Sequence, residues 1–166
     1  VKGTPADQFK REFLLSFNTA EKQSIRLAEA VAAEKYGWRP GAGVRSMSEV
    51  FVHIANGNEL LLRLVDGSSK TTKDAGFQKT IASNAAREKT ITTKDDVVGL
   101  MKRSFEEVHS ALEKASDADL NREVEFFGNT TTVRGVLLVI GNHVQEHLGQ
   151  SIAYARMNGI VPPWSQ

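Results

Sequence analysis

The chain has 166 residues, with 21 Lys+Arg against 20 Asp+Glu, four histidines and no cysteine. That length suits a single domain with a real core, and a net charge of +1 without any Lys/Arg run gives no electrostatic footprint for nucleic acid or an anionic membrane. Without cysteine there is no disulfide, and any metal has to be held by histidine and carboxylate rather than thiolate.

The chain opens at Val1 rather than Met. A segment ahead of it is therefore expected to be missing: the location is cytoplasmic, or exported if that segment was a signal peptide. The first predicted helix starts at an N-cap, Thr4, with Pro5 at the first helical position and Asp7 at the positive helix end. Phe9, Phe13 and Phe17 recur every four residues, and Ile25, Ala28 and Val31 continue the stripe to about Lys35, before Gly37, Pro40 and Gly41. Tyr36-Gly37-Trp38-Arg39-Pro40 reads as a fixed turn whose aromatics cover the end of the fold, as Trp164 does from the tail.

The second helix opens with the capping box Ser46-Met47-Ser48-Glu49 and carries His53 on one side with Val50, Ile54, Gly57, Leu61 and Leu64. It stops at Asp66-Gly67-Ser68-Ser69. A long polar connection follows, from about Gly67 to Thr92, with room for a short helix around Asp74 to Ala86 carrying Phe77 and Ile81. So long a connection suggests a crossover.

The third helix runs from about Thr93 to Ala115, with Thr93 and Asp96 as a capping pair and an inner stripe of Val97, Leu100 or Met101, Phe105, Val108 and Leu112. Val124 to Thr130 reads as a small β-turn or an extended loop. The fourth helix begins near Thr132 and ends at Asn158, before Gly159 and Pro162-Pro163. It holds the longest unbroken apolar run, Val136 to Ile140, far too short to span a bilayer. Four long amphipathic segments predict an all-α fold: a single-domain four-helix bundle over residues 1–166, with a long crossover between the second and third helices.

His143 and His147 lie four residues apart, so on a helix they stack about 40° apart in projection. Their stripe also holds Val136, Ile140, Gln150 and Tyr154, so both rings point where core residues point. With His53 from another helix they would make a facial set of three imidazoles, leaving positions open for water or substrate. The ordinary alternative is histidines satisfied by hydrogen bonds in a core or at its edge. Three neutral imidazoles suit Zn, Ni, Cu or Fe(II) better than Mg or Ca. The fourth histidine, His109, beside Val108 and Leu112, reads as a surface or boundary residue.

His143-Val144-Gln145-Glu146-His147 also matches the inverted zinc-peptidase pattern H-x-x-E-H. Such peptidases need a downstream carboxylate ligand, and no Asp or Glu follows Glu146, so that reading is rejected. Glu146 is beside the ligand face, where a solvated side chain or a contact behind the ligands is expected.

Three pieces of the chain together resemble the DinB-like family of four-helix-bundle metalloenzymes. They are Trp38-Arg39-Pro40 with Arg45-Ser46-Met47-Ser48-Glu49-Val50, then His53-Ile54-Ala55, then His143 through Leu148-Gly149-Gln150 on to Tyr154, Arg156, Gly159 and Pro162-Pro163. The resemblance implies a homodimer and a divalent metal, Zn or Ni, held by His53, His143 and His147. It does not fix the reaction, because relatives include transferases and isomerases using low-molecular-weight thiols, and metal-dependent hydrolases.

Three functional readings follow. In the first, the metal lowers the pKa of a cofactor thiol for a transferase reaction, with Asn142, Gln150 and Tyr154 as pocket candidates. In the second, it activates water for hydrolysis, although Glu59, six residues from His53, points about 120° away. In the third, the site is a non-catalytic metal-binding or structural module. Partners are a small molecule and a second copy of the chain, with no nucleic acid and no membrane.

Overall fold

Thr4, Ser46 and Thr93 each hold an extended backbone and accept a hydrogen bond from the amide three residues on, so three long helices start where local chemistry dictates. The computed structural model describes residues 4–165; Val1, on which the expectation of a missing segment rests, lies outside them. The elements in order are α1 (Pro5–Ala30), α2 (Met47–Val65), α3 (Ala75–Thr90), α4 (Lys94–Lys114), α5 (Asp117–Asn121), β1 (Glu123–Phe126), β2 (Asn129–Thr132) and α6 (Val133–Met157). Among the described residues no helix is long and apolar enough to cross a membrane.

The fold is mostly helical, and α2 lies at its centre. It packs against α4, α6 and α3, while α1 packs against α6 and α4. Phe51, Ile54, Leu64 and Met101 are fully buried between these helices, with Phe17 meeting Phe105 edge-on at 5.7 Å. Both Leu100 and Met101 are buried, so the inner stripe of α4 is broader than one residue per turn.

Two sequence expectations are corrected and a third is resolved. The first helix ends at Ala30, not Lys35: Val31 turns extended, and Tyr36 folds back to donate its hydroxyl to the Ala28 carbonyl at 2.8 Å. Nothing between Ala28 and Lys35 breaks a helix locally, and burial of the Tyr36 ring decides the stop. The long connection is dominated by α3, a 16-residue helix rather than a short one, and the five-residue α5 follows α4, so among the described residues two further α-helices stand beside the four long ones expected. Its stripe is weak because only Phe77, Asn84 and Glu88 are buried, two of them polar. The ambiguous Val124–Thr130 stretch is an antiparallel hairpin with Phe126 paired to Asn129.

That hairpin feeds directly into α6, and Arg122 just before it donates to the Leu64 and Val65 carbonyls at 2.9 and 2.8 Å. The guanidinium thus satisfies open carbonyls at the end of α2 and ties that end to the hairpin. Since Phe105 is completely buried where α1 and α4 meet, Phe105→Ala is expected to cost roughly 3–5 kcal/mol, read as a lowered urea midpoint with the slope unchanged.

Candidate metal centre

His53 lies two turns into α2, and His143 and His147 occupy successive turns of α6. One nitrogen from each ring lies within 4.8 Å of the others. The ring centroids are 4.9 Å apart for His53–His143 and 4.5 Å apart for the two other pairs. His53 and His143 meet Nε2 to Nε2 at 3.2 Å. The rings are half-buried, and α6 buries Val144, Leu148, Ser151 and Ala155 on the adjoining strip. The histidines therefore ride at the edge of the core-facing surface, towards α2 and α3, rather than at its centre.

The outer nitrogens are fixed. His53 Nδ1 is 2.7 Å from Glu88 Oε1, and a carboxylate only accepts, so Nδ1 carries the proton and Nε2 keeps its lone pair. Glu88 is itself held by Arg45, whose Nε donates to Oε2 at 2.7 Å. On α6, His147 Nδ1 lies 2.9 Å from Gln150 Oε1, while Gln150 Nε2 donates to the Tyr154 hydroxyl at 3.0 Å. This network assigns the Gln150 oxygen to His147 and leaves His147 Nε2 free. Trp38 packs edge-on against Tyr154 at 5.4 Å and closes the chain of contacts.

Gly57 makes the third position possible. A Cβ there would lie 2.5 Å from His143 Nδ1, so only glycine lets the ring lie against α2. His143 Nδ1 is buried without a hydrogen-bond partner among the described residues. Burial, and then the neighbouring His147, His53 and Arg45 groups, hold the His143 pKa down to about 3. Burial also lowers the His53 pKa, outweighing the opposing hydrogen bond to Glu88. Both rings are therefore neutral at neutral pH, the form that binds a metal.

The donor set fits a divalent transition metal. Three imidazole nitrogens converge, two of them have their outer N–H groups committed to oxygen acceptors, and no carboxylate joins the group among the described residues. His53 and His143 also line a cavity of about 440 Å³ with Arg45 and Glu88. Its other walls are mainly apolar, from Leu60, Leu61, Ile81 and Val139 to Phe126 and Phe127. That volume falls in the range of roughly 300–1,000 Å³ that encloses small organic ligands.

The remaining sequence candidates divide. Gln150 and Tyr154 stand behind His147. Asn142 does not join the group: it is exposed and lines a separate cleft with Phe9, Phe13 and Leu138. Glu146 is exposed on α6. Glu59 pairs with Arg87 instead of approaching the histidines, and Arg156 is exposed. His109 sits at the core boundary, 2.6 Å from Glu21 Oε2. Sequence reading missed Glu88 because it treated the segment around it as a polar connection. The spacing of Asn84 and Glu88, four apart and both inward, is the signal in that segment. Arg45 was visible only as part of a motif without a role.

Two predictions follow from this geometry. Glu88→Ala should lower Zn or Ni affinity about 10- to 100-fold in competition titrations, whereas Glu59→Ala should leave it unchanged. For the chelated protein the sign of the pH effect follows from the lowered values of His53 and His143. Their neutral forms stabilise the fold fully above about pH 6.5, and this contribution is lost as pH falls towards the folded-state values, about 3 for His143. Between pH 7 and 4 the melting temperature should therefore fall further in the wild type than in His143→Asn.

The sequence was also compared with known proteins. A sequence model described as the DinB superfamily matches residues 16–151. No curated protein matches. Among solved structures, a DinB-like protein from Bacillus subtilis superposes with a TM-score of 0.70 at 23% identity, covering 93% of this chain and 97% of that one. A DinB-family protein from Exiguobacterium sibiricum gives 0.69 at 21%, covering 91% and 92%. A variant of a mycothiol-dependent maleylpyruvate isomerase gives 0.70 at 17%, with 84% of this chain matching 59% of that protein. With the family match spanning most of the chain, this protein belongs to the DinB superfamily.

Proposed function

We propose that this chain is a metal-dependent transferase that binds Zn or Ni through His53, His143 and His147 and acts on a low-molecular-weight thiol. The observation that carries the reading is the convergence of three imidazoles beside a mainly apolar cavity, with Glu88 and Gln150 locking two of the rings. A metal held there supplies a Lewis acid that lowers the pKa of a bound thiol. Glu88 keeps the His53 proton on Nδ1, and Arg45 holds Glu88 in place. Gln150 and Tyr154 do the corresponding work for His147.

A thiolate needs no separate general base, and this favours thiol chemistry over hydrolysis. Glu88, the carboxylate beside the histidines, is already engaged by both Arg45 and His53. Similarity in fold to the mycothiol-dependent isomerase supports the same direction. Metal-dependent hydrolysis is the second reading, favoured by the same open cavity. The fold reading that accompanies both is a four-helix bundle of α1, α2, α4 and α6 crossed by α3, working as a homodimer.

The test is elemental mass spectrometry on protein purified without a metal-affinity tag, beside His147→Ala, followed by turnover assays pairing glutathione, bacillithiol and mycothiol with electrophiles. About one transition metal per chain, lost in the variant, and turnover that needs both metal and thiol are expected. Protein without metal, and without a thermal shift on adding Zn or Ni, would overturn the metal reading. Metal-dependent ester cleavage without any thiol would replace the transferase with the hydrolase.

A further inference from the structure

β1 and β2 are joined by a two-residue loop, Phe127–Gly128, and both residues have positive φ, 49° and 86°. This is the backbone of a type I′ turn, whose first position suits Asn, Asp or Gly. A bulky ring in the left-handed region is strained, and Phe127 is also 59% exposed. Asparagine would relax the turn and expose less apolar surface, at the cost of the ring's aromatic contacts. The tip is nonetheless held firmly. The Phe127 amide donates to Thr72 Oγ1 at 3.0 Å, and the Gly128 amide to Glu125 Oε1 at 2.6 Å. Phe126 and Phe77 pack edge-on against the Phe127 ring at 4.9 and 6.2 Å.

The strained, exposed ring lines the same cavity as His53 and His143. The cavity is polar at one end and apolar at the other. On α3, Glu88 touches His53, while Phe77, which touches Phe127, lies three turns away, about 16 Å along the helix axis. Along α2 the lining passes from His53 to Leu60 over about 10 Å. A head group at the polar end meets His53, His143 and the Arg45 guanidinium, which also pairs with the Glu88 carboxylate there. The apolar end offers Leu60, Ile81, Phe126 and Phe127. Strain kept at a ligand-facing position, together with exposed apolar surface, marks recognition rather than folding.

We propose that Phe127 is the specificity residue of this cavity, receiving the unbranched apolar tail of an amphiphilic substrate whose compact anionic head sits at the three histidines and Arg45. The position of the head rests on the metal reading above; the position of the tail rests on Phe127 alone.

The test is isothermal titration of the zinc-loaded full chain with acetohydroxamic acid, octanohydroxamic acid and the monohydroxamate of suberic acid. Octanohydroxamic acid should bind about a hundredfold tighter than acetohydroxamic acid, about twofold for each of its extra methylenes, since these are only partly buried and a fully buried one contributes about fourfold. The suberic compound, equally long but ending in a carboxylate, should lose most of that gain. Phe127→Asn gives the turn a preferred residue, so its melting temperature should hold or rise while the octano-to-aceto ratio falls to about tenfold. Equal affinities for the long and short chains, or an unchanged ratio in Phe127→Asn, would overturn the proposal. Repeating the titrations on chelated protein separates the two readings. A tail preference without any effect of zinc retires the metal reading and leaves Phe127 assigned. A zinc effect without a tail preference does the reverse.

Discussion

The seating of the His143 ring of α6 against the bare backbone of α2 at Gly57 is the constraint on which the rest of the site depends. Helix axes normally stay 8–10 Å apart because side chains intervene. At Gly57 there is no side chain, and the His143 ring occupies the space a Cβ would take. The contact places His143 Nε2 against His53 Nε2, and one helical turn carries His147 to the same place. Any other residue at Gly57 would push the ring away and open the group.

The second constraint is polar. A buried carboxylate is costly unless it is paired and fully hydrogen-bonded. Glu88 meets both conditions, with one oxygen on His53 and the other on Arg45. It also gives α3, a helix with few buried apolar residues, a reason to lie against α2. Asn56 and Asn84 add a reciprocal pair, each side-chain amide donating to the other's backbone carbonyl at 3.3 and 3.4 Å. The helix that sequence periodicity undervalues is thus fastened by polar contacts, and the same contacts orient a histidine. Stability and site geometry share residues here, so a change at Glu88 acts on both.

Much of the framework was legible because its signals are local. Capping side chains at Thr4, Ser46 and Thr93, the Gly159 stop and the apolar stripes of α2, α4 and α6 are properties of a few neighbouring residues. The end of α1 was not legible, because it is set by Tyr36 reaching back to Ala28 rather than by any breaker. Of α3 only part was legible, as a short helix around Asp74 to Ala86 carrying Phe77; beyond Phe77 its inward face is Asn84 and Glu88, which carry no hydrophobic period.

The sequence by itself determined the three histidines, their helices and the spacing that stacks two of them, since these follow from the repeat of the α-helix. It also excluded thiolate ligands from these residues, since none is cysteine. Tertiary structure alone decided that His53 joins the pair, that Glu88 and Arg45 stand behind it, and that Asn142 faces elsewhere. It alone carried Phe127 from a distant hairpin to the same cavity. Local spacing sets which residues share a helix face. Only the packing of one helix on another, settled by volume and by the pairing of buried polar groups, sets which faces meet.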